Sequence, residues 1–174
     1  MKNTLYLIVT LALIMGNSCQ DTAVVEELEK LKAQTALEEQ NKQIAQRFHF
    51  DLSLDRNWEA AGEFISDDIV IHMQGGGIAT GMDELKGFDE VWANMNNAKI
   101  NHHEVIAEGD YVFIRWDMSF DHTSDLMGIP ASGNRISGIY GMDLFVIKDG
   151  KITEMWQNYD QVGFMQQMGA KPAP

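Results

Sequence analysis

The chain has 174 residues, 45% of them apolar, with 13 Lys plus Arg against 26 Asp plus Glu, for a formal net charge of −13. That length fits one compact domain plus a targeting or tether segment and excludes two full-sized domains. Acidic residues spread along the chain, with no Lys/Arg cluster, exclude a nucleic-acid partner, and the supply of Ile, Val, Leu, Phe, Trp and Met excludes a wholly disordered chain.

The N-terminus reads as an address. Lys2 precedes an apolar stretch over residues 5–15, which ends in Gly16, Asn17 and Ser18 before Cys19. A basic residue, a short apolar run and small residues before a cut site are the secretory pattern, and the run is shorter than the roughly 20 residues of a spanning helix. Residues 1–18 are therefore expected to be a lipoprotein-type signal peptide. Cys19 would become the lipidated mature N-terminus, holding an exported protein to the cell envelope through its lipid alone. Gly16 stands where a lipobox usually has Leu, so plain secretion and an inert thiol remain alternatives. With one Cys, no intramolecular disulfide can form. Residues 19–36 read as an acidic helical tether, with Val24, Leu28 and Leu31 at helical spacing.

The domain proper is expected over residues 37–170, followed by a short tail at 171–174. Ile44, Ala45, Phe48 and Leu52 mark one helix over residues 38–54, and Trp58, Ala61, Phe64 and Ile65 mark another after Asp55, Arg56 and Asn57. His49 on the first of these is expected at the surface. Residues 68–74 are rich in β-branched side chains and run into Gly75, Gly76 and Gly77, a strand followed by a turn. Leu85, Phe88, Val91, Trp92 and Met95 predict a third helix over residues 83–96. From Val105 onward the pattern is β, with strands at 111–123, 135–148 and 151–160 and hairpin turns at Gly109 and Gly150. Helices followed by an antiparallel meander predict an α+β fold.

Alternation assigns faces to these strands. Val112, Ile114, Trp116, Met118, Phe120 and His122 form one apolar row, and Ile136, Tyr140, Met142, Leu144 and Val146 form another. In the last strand Ile152, Glu154, Trp156, Asn158 and Asp160 share a face. A carboxylate on a covered face is costly unless it is paired or neutral, which makes Asp160 a candidate acid/base group. Its alternative role is the N-cap of a short helix beginning at Gln161. His102, His103 and Glu104 are not expected to bind metal, because adjacent strand residues point to opposite faces.

Four ordered motifs carry a resemblance. Gly128-Ile129-Pro130-Ala131-Ser132-Gly133, Gly141-Met142-Asp143-Leu144-Phe145, Asp149-Gly150-Lys151-Ile152-Thr153-Glu154-Met155-Trp156 with Asp160, and Gln167-Met168-Gly169-Ala170 together resemble the SnoaL-like polyketide cyclase or ester cyclase family over residues 38–170. The resemblance implies a cone-shaped barrel of the nuclear transport factor 2-like superfamily. Its N-terminal helices would pack on a strongly bent, mostly antiparallel sheet around a pocket, working without metal or cofactor. It also implies Asp160 as general acid/base and His122 as a second catalytic group. His72, Trp92, Trp116, Tyr140, Trp156 and Asn158 are the candidate substrate-binding residues for a small apolar molecule, and an exposed sheet face would favour a homodimer. Val146 stands where the family often has Arg. An exported protein also does not meet cytoplasmic polyketide intermediates, so two functions are carried forward. One is cofactor-independent cyclisation, isomerisation or hydrolysis of a small carbonyl compound; the other is non-catalytic binding of a small molecule by a lipoprotein.

Overall fold

The computed structural model describes residues 2–170, and side chains from residue 22 onward apart from those of Asp89 and Glu90. The expected signal peptide and Cys19 are thus without described side chains, and the 171–174 tail lies outside the described residues. Among the described residues no helix is long and apolar enough to cross a membrane. The chain divides into residues 1–37 and 38–174. In the first unit, part of helix α1 (Lys2–Arg47), Val24, Leu28 and Leu31 are exposed, and Glu29 pairs with Lys32 one turn on.

The second unit begins in the same helix, where Ile44 and Ala45 face the core. The helix then widens into a π-helix over Phe48–Leu54, and the Ser53 hydroxyl donates to the Phe48 carbonyl five residues back, the spacing of a π turn. Helix α2 (Trp58–Phe64) is capped by the Asn57 side chain, which accepts from the Ala60 N–H. Strands β1 (Ile65–His72) and β2 (Ile78–Thr80) follow, with helices α3 (Gly81–Gly87) and α4 (Asp89–Ala93) after them. Then come β3 (Asn96–Glu108), β4 (Tyr111–Asp121), β5 (Arg135–Lys148), β6 (Lys151–Tyr159) and helix α5 (Gln161–Met168).

The six strands form one sheet in the order β2-β1-β6-β5-β4-β3, with β1 and β6 parallel and every other pair antiparallel. This is the expected α+β architecture. The sheet remains open, with β2 and β3 at its edges. Its inner face supplies Val112, Ile114, Trp116, Met118 and Phe120 from β4, as the alternation predicts, and all five are buried.

The faces of β5 and β6 differ from expectation because each strand carries one extra residue. Between the pairs Met118↔Ile139 and Phe120↔Ile136 the register slips by one, at Gly138 with φ +67°. Beyond that bulge Ile139, Gly141, Asp143, Phe145 and Ile147 face inward, while Tyr140 and Met142 stand exposed on the other face. A second slip lies between Val146↔Glu154 and Ile147↔Ile152. It turns Met155, Gln157 and Tyr159 inward and leaves Glu154, Trp156 and Asn158 on the outer face. A one-residue slip exchanges the two faces of every residue beyond it.

Candidate functional site

Two cavities sit on the inner face. The larger, about 240 Å³, is lined by Met73, Trp92, Met95, Trp116, Met118 and Met127, with Gln157, Tyr159, Gln74 and Gln161 as its polar groups. The smaller, about 60 Å³, is walled by residues from the π-helix, α2, α3 and β1, and shares Met73, Phe88, Trp92 and Gln157 with the larger. Among the described residues the two walls carry no Asp, Glu, Lys, Arg or His. Tyr159 is the one titratable group on these walls among the described residues, and burial pushes its phenol up from the ordinary value. The phenol therefore stays protonated and can donate. The Gln74 carboxamide oxygen accepts from the Tyr159 N–H at 2.8 Å, so the loop after β1 is tied to the end of β6.

The expected site residues divide between these walls and other places. Trp92 lines both cavities and Trp116 the larger one. Asp160 lines neither. It is exposed, and its carboxylate accepts from the Gly163 N–H at 2.9 Å as the N-cap of α5. A Cβ at position 163 would overlap that carboxylate, so Gly163 is part of the cap. The expectation that Asp160 faces a dry pocket is corrected: its helix-capping alternative is the one the structure contains. Tyr140 is 56% exposed on the outer face, and Asn158 is exposed on that face too, both turned there by the bulges. Trp156 and His72 stack on the same outer face, with ring centroids 4.6 Å apart, and His72 Nε2 lies 2.7 Å from Glu154. None of these four reaches the cavities. His122 is buried but lines neither cavity; its Nδ1 lies 3.1 Å from the Ser132 hydroxyl, and its backbone brackets the loop through Asn134 and Gly133. It ties down the Gly128-Ile129-Pro130-Ala131-Ser132-Gly133 segment, whose preceding residue Met127 reaches the larger cavity.

The buried carboxylate is Asp143, fully inaccessible. Its Oδ2 accepts from the Trp116 indole N–H at 2.8 Å and meets His49 Nε2 at 2.7 Å. His49 Nδ1 lies 2.8 Å from His102 Nε2, and His102 Nδ1 lies 3.4 Å from the Gln46 amide. The Gln46 amide nitrogen can only donate and the Asp143 carboxylate can only accept, which fixes the polarity of the chain: Gln46 to His102, His102 to His49, and His49 to Asp143. Burial first, and then the neighbouring His49 and His103, lower the His102 pKa to about 4, so it is neutral at pH 7. His49, expected at the surface, is buried. The signal was its spacing, four residues after Ala45 and three before Leu52, on the apolar stripe itself. His103 points the other way, to Asp117 at 2.6 Å, as adjacent strand residues should. Among the described residues no cluster of three or more His, Cys, Asp or Glu is placed to hold a metal ion.

The comparisons with known proteins agree with this architecture. The family model described as SnoaL-like polyketide cyclase matches residues 43–168, well over half of the chain. The chain belongs to that family. No curated protein matches the sequence. Among solved structures, this SnoaL-like domain is similar to a candidate SnoaL-like polyketide cyclase from Jannaschia sp. CCS1, with 21% identity, TM-score 0.69, and coverage of 78% of this chain and 96% of that one. AclR, a candidate hydroxylase from Streptomyces galilaeus, matches at 18% identity and TM-score 0.67, over 78% of this chain and 89% of that one. A candidate polyketide cyclase from Acidithiobacillus ferrooxidans matches at 24% identity and TM-score 0.62, over 74% of this chain and 94% of that one. These likenesses fix the nuclear transport factor 2-like fold of the SnoaL-like domain.

Proposed function

We propose that this SnoaL-like protein is exported, anchored through a lipid on Cys19, and binds a flat, uncharged, apolar small molecule without transforming it. Export and anchoring are supported by Lys2, the apolar stretch and Cys19, and one observation carries the binding: among the described residues the cavity walls are aliphatic, aromatic, thioether, hydroxyl and carboxamide, with no formal charge. Met and Trp side chains adapt to and stack on planar apolar rings, while an ionic group on the ligand would lose its hydration with nothing opposite to replace it. Gln157 stands at the junction of the two cavities and Tyr159 beside it on the same strand face, so a ligand carbonyl or hydroxyl at that end has a donor within the wall.

The test uses two fluorophores of nearly one skeleton, neutral N-phenyl-1-naphthylamine and anionic 8-anilinonaphthalene-1-sulfonate. The neutral probe is expected to bind and brighten, and the sulfonate to bind at least about tenfold more weakly. Equal or tighter binding of the sulfonate overturns the proposal. A second reading, cofactor-independent turnover of a carbonyl compound, rests on Tyr159, whose protonated phenol is the one acid on the wall among the described residues. Turnover that is lost in Tyr159→Phe and kept in Asp160→Asn would establish that reading in place of binding alone.

A further inference from the structure

The inner wall of the larger cavity has a device of its own. Trp116 lies opposite Gly141 in the β4–β5 ladder, and a Cβ at position 141 would overlap the six-membered part of the indole. Glycine is thus what admits the ring at that depth. The indole N–H then reaches the buried Asp143 carboxylate at 2.8 Å. His49 meets the same carboxylate oxygen, and its ring packs edge-on against the indole at 5.7 Å. The ring is therefore fixed from below by a missing side chain, at its nitrogen by a carboxylate, and on its flank by an imidazole. The same ring lines the larger cavity.

We propose that Trp116 is the size-determining wall of the ligand cavity and that Asp143, with Gly141, is its positioning residue. This rests on the reading of the cavity as a binding site for a neutral apolar molecule. Asp143 does not touch the ligand. It acts through Trp116, and its carboxylate is engaged by the indole rather than available for proton transfer to the cavity contents. A fixed wall gives a sharp upper limit on ligand size, because a ring that cannot swing away cannot make room. The chain from Asp143 through His49 and His102 to Gln46 keeps the carboxylate from turning, so the limit is set in part by groups that do not line the cavity.

The experiment measures selectivity between a larger and a smaller neutral probe, N-phenyl-1-naphthylamine and 1-naphthylamine, in the full chain. Gly141→Ala pushes the indole into the cavity, and the larger probe is expected to lose about tenfold more affinity than the smaller. Trp116→Phe removes the N–H anchor and part of the ring, and shifts the ratio the other way. Asp143→Leu follows Trp116→Phe, whereas Asp143→Asn keeps an acceptor for the indole and retains a selectivity near the parent's. In the parent, the Trp116 indole N–H resonance in a nitrogen–proton correlation spectrum is expected to be protected from solvent exchange, and in Asp143→Leu to lose that protection. If the parent binds both probes and all four variants keep its ratio, the positioning role is overturned. If the parent binds neither probe, it is the neutral-ligand reading beneath it that fails.

Discussion

The two faces of the sheet contain the same kind of contact in opposite settings. On the inner face His49 Nε2 lies 2.7 Å from Asp143, with side chains 2% and 0% exposed. On the outer face His72 Nε2 lies 2.7 Å from Glu154, with side chains 29% and 37% exposed. Distance does not separate them; surroundings do. The outer pair competes with water and salt, and is joined there by the Glu104–Arg115 and His103–Asp117 pairs. The inner carboxylate has exchanged its hydration for an indole, an imidazole and one oxygen with no partner, so every bond it keeps is expensive to lose. Polar groups on the inner face therefore specify one arrangement of the core around the cavity, whereas those on the outer face are interchangeable surface.

The largest expected effect breaks that contrast directly. His49→Leu leaves Asp143 buried with the indole as its single donor, and should cost about 3–5 kcal/mol of folding stability. His72→Leu should cost about 0–1 kcal/mol. Urea denaturation of both variants at pH 7 measures the difference. Equal costs would mean that water reaches the Asp143 carboxylate, and the contrast between faces would collapse.

The same contrast explains what could be read from the sequence. The α+β class and the inner row of β4 follow from periodicity, because Val112 to Phe120 alternate without interruption, whereas the short strand β2, the division of the expected 83–96 helix into α3 and α4, and the start of β3 at Asn96 do not. The inward-facing residues of β5 and β6 do not, because the bulges at Gly138 and Thr153 each displace the alternation by one residue, and strict counting then selects Tyr140, Trp156, Asn158 and Asp160 in place of Gly141, Asp143, Gln157 and Tyr159. Gly138, between Ser137 and Ile139 inside a strand-like run, is the visible warning. Asp143 lies inside the Gly141-Met142-Asp143-Leu144-Phe145 motif, but its burial depends on partners 94 residues away, at His49, and 27 away, at Trp116, which no local pattern reveals.

A smaller effect separates the aspartate that caps a helix from the one that is buried. Asp160→Ala removes the acceptor for the Gly163 N–H and should lower stability by about 1 kcal/mol, the usual size of an N-cap loss. Its probe affinity should stay within about twofold of the parent's, since the side chain lines neither cavity. Thermal denaturation and the fluorescence titration check the two halves separately. A loss of binding without a loss of stability would return Asp160 to the site.

The last effect is a pH dependence at the rim of the inner network, absent at pH 7 and growing only as the solution is acidified. His102 has its pKa lowered from 6.5 to about 4 in the folded chain, by burial first and then by His49 and His103. The unfolded chain therefore binds a proton at His102 between these values and the folded chain does not. Stability from this group is complete above about pH 6.5, falls as the pH drops toward 4, and changes no further below that. The groups facing His102 are Gln46, His49 and Phe50 from the helical segment and His103 beside it on β3. The Glu104 and Asp121 carboxyls, held low by hydrogen bonds from Arg115 and from Arg135 with Asn97, lose their share of stability below the ordinary carboxylate range. His102→Gln cannot titrate and can still donate to His49. Denaturation midpoints taken from pH 7.5 to 4 should fall less steeply in the variant than in the parent, with the separation opening between pH 6.5 and 4. Parallel curves would mean that His102 is protonated in the folded chain as readily as in the unfolded one, which would require Gln46 to turn its carboxamide oxygen toward His102 Nδ1.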